Sequence, residues 1–246
     1  MTELAGKVAL VTGGSRGIGA AIARRLARTG AAVALTYLRD ADAAQRVARQ
    51  IEADGGRVLV IQADNADPEA VTGAVARTVG ELGRIDILVN NAAIFAAGPL
   101  DETTLDQVDR TLAVNVRAAF LAAQAAARHM TEGGRIITIG TCLAERVPGP
   151  GTTLYSMSKA ALTGLTKGLA RDLGPRGITA TVVHPGPIHT DMNPEGSPTA
   201  AFQRSLTALG RYGTAEEIAT TVAHLASDAA RYITGTAIAV DGGFAA

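Results

Sequence analysis

The chain has one cysteine, no tryptophan and an aromatic content of only 3%. Cys142 alone excludes an intramolecular disulfide and a cysteine-rich zinc site. Without large rings, the core must be built from Ala, Val, Leu and Ile, and the abundant Gly and Ala let helices come close to a sheet. Net charge is also absent: Lys plus Arg and Asp plus Glu both total 23. A general nucleic-acid binder needs a basic surplus, so no nucleic-acid partner is expected. No apolar run approaches the length of a membrane span and no signal-peptide pattern is present. A cytoplasmic chain with no membrane partner is the expectation. What is present is a 47% apolar composition over 246 residues, enough for one large α/β domain.

The sequence is organised around Thr12-Gly13-Gly14-Ser15-Arg16-Gly17-Ile18-Gly19. Before it, residues 7–11 (KVALV) read as a buried strand. After it, 20–28 (AAIARRLAR) has apolar residues three and four apart, as a helix requires. Glycines at a strand-to-helix turn let phosphates approach unpaired N–H groups at the positive end of the helix dipole. A glycine triplet alone also fits a flexible turn; the flanking strand and helix favour a dinucleotide site.

Further strands are predicted at 32–37, 57–63, 85–89, 135–139, 178–183 and 236–240. Helices are predicted at 42–54, from Pro68 to 81, and at 104–130, 154–173 and 215–225. Alternating strands and helices imply a single-domain Rossmann-type, doubly wound parallel sheet of about seven strands, with ligands at the strand C-termini. The stretch 185–198 is too long for an ordinary connection and reads as a lid.

An NAD site of this type carries an acid at the end of the second strand, yet Leu35-Thr36-Tyr37-Leu38-Arg39 has none before Asp40. Arg16 and Arg39 suit a 2′-phosphate, with a solvated surface charge as the alternative for either. NADP(H) is therefore favoured over NAD(H). Asp64 suits either the adenine amine or a helix cap.

Tyr155 and Lys159 lie four apart on one helix face. A phenol is a poor acid near neutral pH, and a nearby ammonium favours its ionised form. Such a spacing is usually an ordinary surface pair; downstream of a nucleotide fold it becomes a catalytic candidate. His129, His184, His189 and His224 lack the spacing of metal ligands, so no metal is expected.

Taken together, these motifs resemble the short-chain dehydrogenase/reductase family, and within it 3-oxoacyl-[acyl-carrier-protein] reductase-like members, along essentially the whole chain. Thr12-Gly13-x-x-x-Gly17-x-Gly19 is similar to the cofactor loop, Asn90-Asn91-Ala92 to the motif after strand four, and Tyr155-x-x-x-Lys159 to the catalytic pair. Asp241-Gly242-Gly243 is similar to the C-terminal signature. The resemblance implies cofactor contacts from Gly13, Ser15, Arg16, Gly17, Ile18, Gly19, Tyr37, Arg39, Asp64, Asn65, Asn91 and Ala92. It adds Tyr155, Lys159 and the nicotinamide loop Pro185, Gly186, Ile188 and Thr190. It implies Tyr155 as proton donor, Lys159 as its partner and ribose ligand, Asn115 as the anchor of a relay water, and a homotetramer. The substrate would be a small-molecule carbonyl or alcohol, and Arg146 is the nearest basic candidate for docking an acyl-carrier protein.

Two positions depart from the family pattern. Ala93 stands where the family has glycine, adding a methyl group beside the cofactor. The serine that binds the substrate carbonyl is replaced by Cys142 if counted from the tyrosine, or by Thr141 if counted along strand five. Thr141 is favoured because a thiol is a weak donor. Non-redox relatives on this fold lose the glycine loop and the lysine, both present here. A nucleotide-binding sensor with little turnover stays open as the alternative.

Overall fold

A computed structural model describes residues 3–246. Seven parallel strands form one sheet in the order β3-β2-β1-β4-β5-β6-β7. They are β1 (Val8–Val11), β2 (Ala32–Tyr37), β3 (Val58–Gln62), β4 (Ile87–Asn90), β5 (Arg135–Ile139), β6 (Thr179–Pro185) and β7 (Thr236–Val240). The order reverses between β1 and β4, so two crossovers leave in opposite directions and open a crevice at the strand C-termini.

Side chains alternate across the sheet, and each face has its own apolar layer. Val11, Leu35, Val89 and Ile137 meet Ile22 and Leu26 of α1 (Gly17–Arg28), Val47 and Ile51 of α2 (Ala41–Ala53), and Ile218 and Val222 of α8 (Ala215–Ala226). Their neighbours Leu10, Leu88 and Ile136 point the other way. There they meet Val71 and Val75 of α3 (Pro68–Leu82) and Ala122, Ala123 and Ala126 of α5 (Ala118–Ala127). Strands buried on both faces are apolar at every position, which is why they read as short continuous runs.

The helix starts follow local chemistry. Asp40 accepts from the Ala43 N–H at 2.8 Å to cap α2, and Asp67 accepts from the Glu69 N–H at 2.9 Å ahead of Pro68. Thr214 and Glu217 form a reciprocal capping box on α8.

Four expectations are corrected. The helix expected over 104–130 is α4 (Leu105–Leu112), a π-helical turn Ala113–Arg117 and then α5, ending at Ala127. β6 runs to Pro185, two residues further than expected, so the following loop starts at Gly186. Beyond the expected lid lies an unpredicted helix, α7 (Ala200–Ser205). α1 starts at Gly17, three residues before the expected 20, and the remaining strand and helix ends lie within two residues of expectation, with α6 spanning Thr153–Leu173. Among the described residues, no helix is long and apolar enough to cross a membrane.

Candidate active site

The glycine loop sits at the crevice because β1 ends at Val11 beside the end of β4. Asn91 fastens the two: its Nδ2 donates to the carbonyls of Thr12 and Gly13 at 2.9 and 3.1 Å. Thr12 Oγ1 accepts from the N–H groups of Asn91 and Ala92 at 3.0 and 3.1 Å. Thr36, at the end of β2, holds the loop from the other side. Its hydroxyl accepts from the Gly13 N–H at 3.0 Å, and its carbonyl accepts from Gly14 N–H at 2.8 Å. A Cβ on Gly19 would lie 2.3 Å from the Gly13 carbonyl oxygen, so α1 can rise this close to the loop only with glycine there.

Arg16 at the start of α1 makes no side-chain cap, and the first turn carries no acid. The N–H groups of Gly17, Ile18 and Gly19 therefore suit an anion. Ser15 lies half-buried in the loop beside them, and Arg16 and Arg39 are both exposed. Thr190 closes the crevice from above, with its methyl 3.5 Å from where a Gly17 Cβ would be. It is carried there by Pro185, Gly186 and Ile188, the last paired to Gly213 by a parallel bridge.

Asp40, the first acid after β2, spends a carboxylate oxygen on capping α2. Asp64 accepts from the Ala66 N–H at 2.8 Å, a local turn; the helix-cap role that it shared in expectation falls to Asp67. Tyr37 and Asn65 lie half-buried nearby at the ends of β2 and β3.

Tyr155 and Lys159 project from the first turns of α6. Lys159 is buried, and its ammonium donates to the Ile139 carbonyl at 2.7 Å. Burial lowers it from 10.5 to about 8. The Tyr155 phenol is pushed up to about 12 by burial, against a lowering hydrogen bond from the Thr141 hydroxyl. The expectation that Lys159 pulls the phenol down is not met. Its ammonium lies 6.0 Å from the Tyr155 ring centroid and is bonded to backbone, so desolvation of the phenol wins. A phenol this high stays protonated at neutral pH, which suits a proton donor.

Asn115 lies in the π-helical turn, where its amide reaches two segments. Oδ1 accepts from the Ile94 N–H at 2.9 Å, and Nδ2 donates to the Ile94 carbonyl and to Ser158 Oγ, each at 3.0 Å. The side chain is thus spent on joining the loop after β4 to α6. A cavity of ≈ 10 Å³, about one water in size, is lined by Thr12, Asn65, Asn90, Ala92, Asn115 and Lys159.

The choice between Thr141 and Cys142 does not follow strand register. β5 ends at Ile139, and Thr141 is the cap of a 3₁₀ turn, Cys142–Ala144, accepting from the Leu143 N–H at 3.3 Å. Both side chains lie near the phenol. Burial raises the Cys142 thiol to about 12, leaving the Thr141 hydroxyl as the stronger donor. Phe95 stands edge-on to Tyr155, with ring centroids 4.8 Å apart, and forms a half-exposed apolar wall.

Arg146 is exposed but tethered to the C-terminal segment. Its guanidinium donates to the Phe244 carbonyl at 2.7 Å and stacks over that ring. Thr12, Thr36 and Ser158 were missed as site residues, although Thr12 stands inside the glycine motif. His184, which accepts from the Thr141 N–H at 3.1 Å, is a further residue to which the sequence alone gives no role. Among the described residues no cluster of metal-ligating side chains forms.

A family model described as Enoyl-(Acyl carrier protein) reductase matches residues 13–245. The Escherichia coli (strain K12) cyclic-di-GMP-binding biofilm dispersal mediator protein is 45% identical over 246 residues, covering 100% of each chain. The Synechocystis 3-oxoacyl-[acyl-carrier-protein] reductase is 41% identical over 248 residues, covering 99% of this chain and 98% of its own. A Burkholderia cenocepacia short-chain dehydrogenase, solved in complex with NADP, superposes with a TM-score of 0.98 at 58% identity, covering 99% and 100%.

Proposed function

The chain belongs to the short-chain dehydrogenase/reductase family, and on that footing we propose that it is an NADPH-dependent reductase of ketones or aldehydes. The substrate is a 3-oxoacyl thioester or a small to medium ketone. The observation that carries this reading is the meeting of Tyr155, Thr141 and Lys159, with Lys159 lining one small cavity together with Thr12 of the glycine loop, where the strand order reverses.

The residues present fit NADP(H). Gly19 lets the helix N-terminus reach a pyrophosphate, and Asn91 and Ala92 border the same crevice. With Asp40 engaged as a cap, no carboxylate at the end of β2 competes for a ribose 2′-OH. Exposed Arg16 and Arg39 suit a 2′-phosphate instead. The NADP held by the Burkholderia relative supports the same choice. When bound, NADPH supplies the hydride that reaches the carbonyl carbon.

The chain's own groups do the rest. Tyr155 Oη passes its proton to the carbonyl oxygen as charge develops there, and Thr141 Oγ1 donates a hydrogen bond to that oxygen. Lys159, charged below about pH 8, stabilises the phenolate left behind and holds ribose, and the proton returns to Tyr155 Oη from solvent through the relay water beside Lys159. Asn115 keeps the loop after β4 fastened to α6 while the small cavity beside Lys159 takes a relay water. The assembly in this reading is a cytoplasmic homotetramer. Its supports are the open edge of β7 and the outward Leu105 and Phe120, 72% and 49% exposed on α4 and α5. Light scattering giving 25.0 kDa, a monomer, refutes it.

A second reading, a nucleotide-binding sensor with little turnover, is favoured by the likeness to the E. coli cyclic-di-GMP-binding biofilm dispersal mediator protein. The Tyr155–Lys159 pair, both present and buried or half-buried, favours turnover. NADPH oxidation with small ketones and a 3-oxoacyl thioester, with NADH in parallel, tests the two. Tight NADPH binding without oxidation by any of them leaves the sensor standing and removes the reductase.

A further inference from the structure

His184 is 1% exposed, an imidazole sealed at the end of β6 directly before the nicotinamide loop. Its Nδ1 accepts from the buried Thr141 backbone N–H at 3.1 Å. That bond requires a lone pair on Nδ1, so the ring is neutral with its proton on Nε2. Nε2 lies 3.4 Å from Thr163 Oγ1 on α6 and 3.6 Å from Glu145 Oε1 in the loop after the 3₁₀ turn. A Cβ on Gly140 would sit 2.2 Å from Nδ1, so the ring presses directly on the backbone that leads into Thr141. The imidazole therefore joins β6, the end of β5, α6 and the loop that follows.

We propose that His184 is a positioning residue of this site: by holding the Thr141 backbone, it aims the Thr141 hydroxyl at the substrate oxygen. This rests on the reductase reading above. Thr141 caps a short turn outside the sheet ladder, so its N–H has no strand partner, and His184 fills that role.

A pH signature follows. A proton on Nδ1 would face the Thr141 N–H donor to donor and break the tether. The charged groups facing the ring are Glu145 and Asp241, which favour that proton, and Lys159, which opposes it; burial opposes it most, and the imidazole is held below its ordinary range. Turnover is thus retained above that value and lost as pH falls through it.

The test compares His184→Leu and His184→Asn, whose Oδ1 can replace Nδ1 as acceptor, by kcat, KM and NADPH affinity. Loss of aim from a small displacement costs about ten- to hundredfold in kcat for His184→Leu, with NADPH affinity unchanged and most of kcat restored in His184→Asn. In a Thr141→Ala background, His184→Leu should add no further loss. In the wild type, ¹⁵N NMR should show coupling across the Thr141 N–H···Nδ1 bond, a measurement independent of whether the variants fold. An active wild type matched in kcat by His184→Leu, a parallel fall in NADPH affinity, or no N–H···N coupling overturns this proposal alone. A wild type that reduces no carbonyl overturns the reductase reading and this one with it.

Discussion

Replacing Lys159 by Met tests the site and the burial together. The ammonium lies inside the molecule with one carbonyl partner, and desolvation lowers it from 10.5 to about 8. At ~1.4 kcal/mol per pH unit, that difference corresponds to about 3 kcal/mol of folding free energy. The sign follows from proton counting. Between about 8 and 10.5 the unfolded chain holds a proton on Lys159 that the folded chain has released, so stability rises with pH across that window. Below it, both states are protonated and the penalty of the buried charge stands in full. Tyr155 acts oppositely: its folded value near 12 means its contribution is lost only above about 10. Urea unfolding at one protein concentration, at about pH 7 and about pH 10, should show the wild type gaining most of about 3 kcal/mol relative to Lys159→Met. Wild-type turnover should fall over the same window as the ammonium discharges, so activity and stability move in opposite directions. Lys159→Met should be inactive and bind NADPH more weakly. Parallel stability changes in the two proteins would refute the assignment of a buried, discharged Lys159.

Tyr155→Phe keeps the ring against Phe95 but removes the proton, so kcat should fall by about 10²–10⁴ while NADPH still binds; activity near wild type would remove Tyr155 as donor. Thr141→Ala should lower turnover by about 10²–10³, with Thr141→Ser and Cys142→Ala active, and the reverse ranking in steady-state assays would give the donor role to the thiol. Arg39→Ala should raise the NADPH Kd about tenfold or more by fluorescence titration. Equal wild-type affinity for NADPH and NADH would contradict the 2′-phosphate assignment.

Much of this was written locally. Buried parallel strands announce themselves as apolar runs, so β2 and β5 carry the predicted bounds, and the half-exposed edge strand β7 does so through its run of Ala, Ile and Val. Gly19 and the Tyr155–Lys159 spacing are likewise local, since one concerns a helix packed on its own loop and the other a single helical turn. The π-helical turn around Asn115 was not legible, because the phase shift it introduces leaves no mark in the Ala-rich α5 that follows, whose faces barely differ. Nothing in the sequence shows that Phe244, 98 residues on from Arg146, lies against it.

The amino-acid order by itself determined the alternation of strands and helices, the glycine loop and the identity of the proton donor's candidate, because each depends on neighbours within a few turns. Tertiary structure alone decided the direction of the pKa shifts at Tyr155 and Lys159, which depends on how much water is excluded around each group. It also decided the Thr141 tether, where β6 brings His184 to an amide 43 residues away. Burial and long-range hydrogen bonds exist only once the sheet has closed, so no local pattern encodes them.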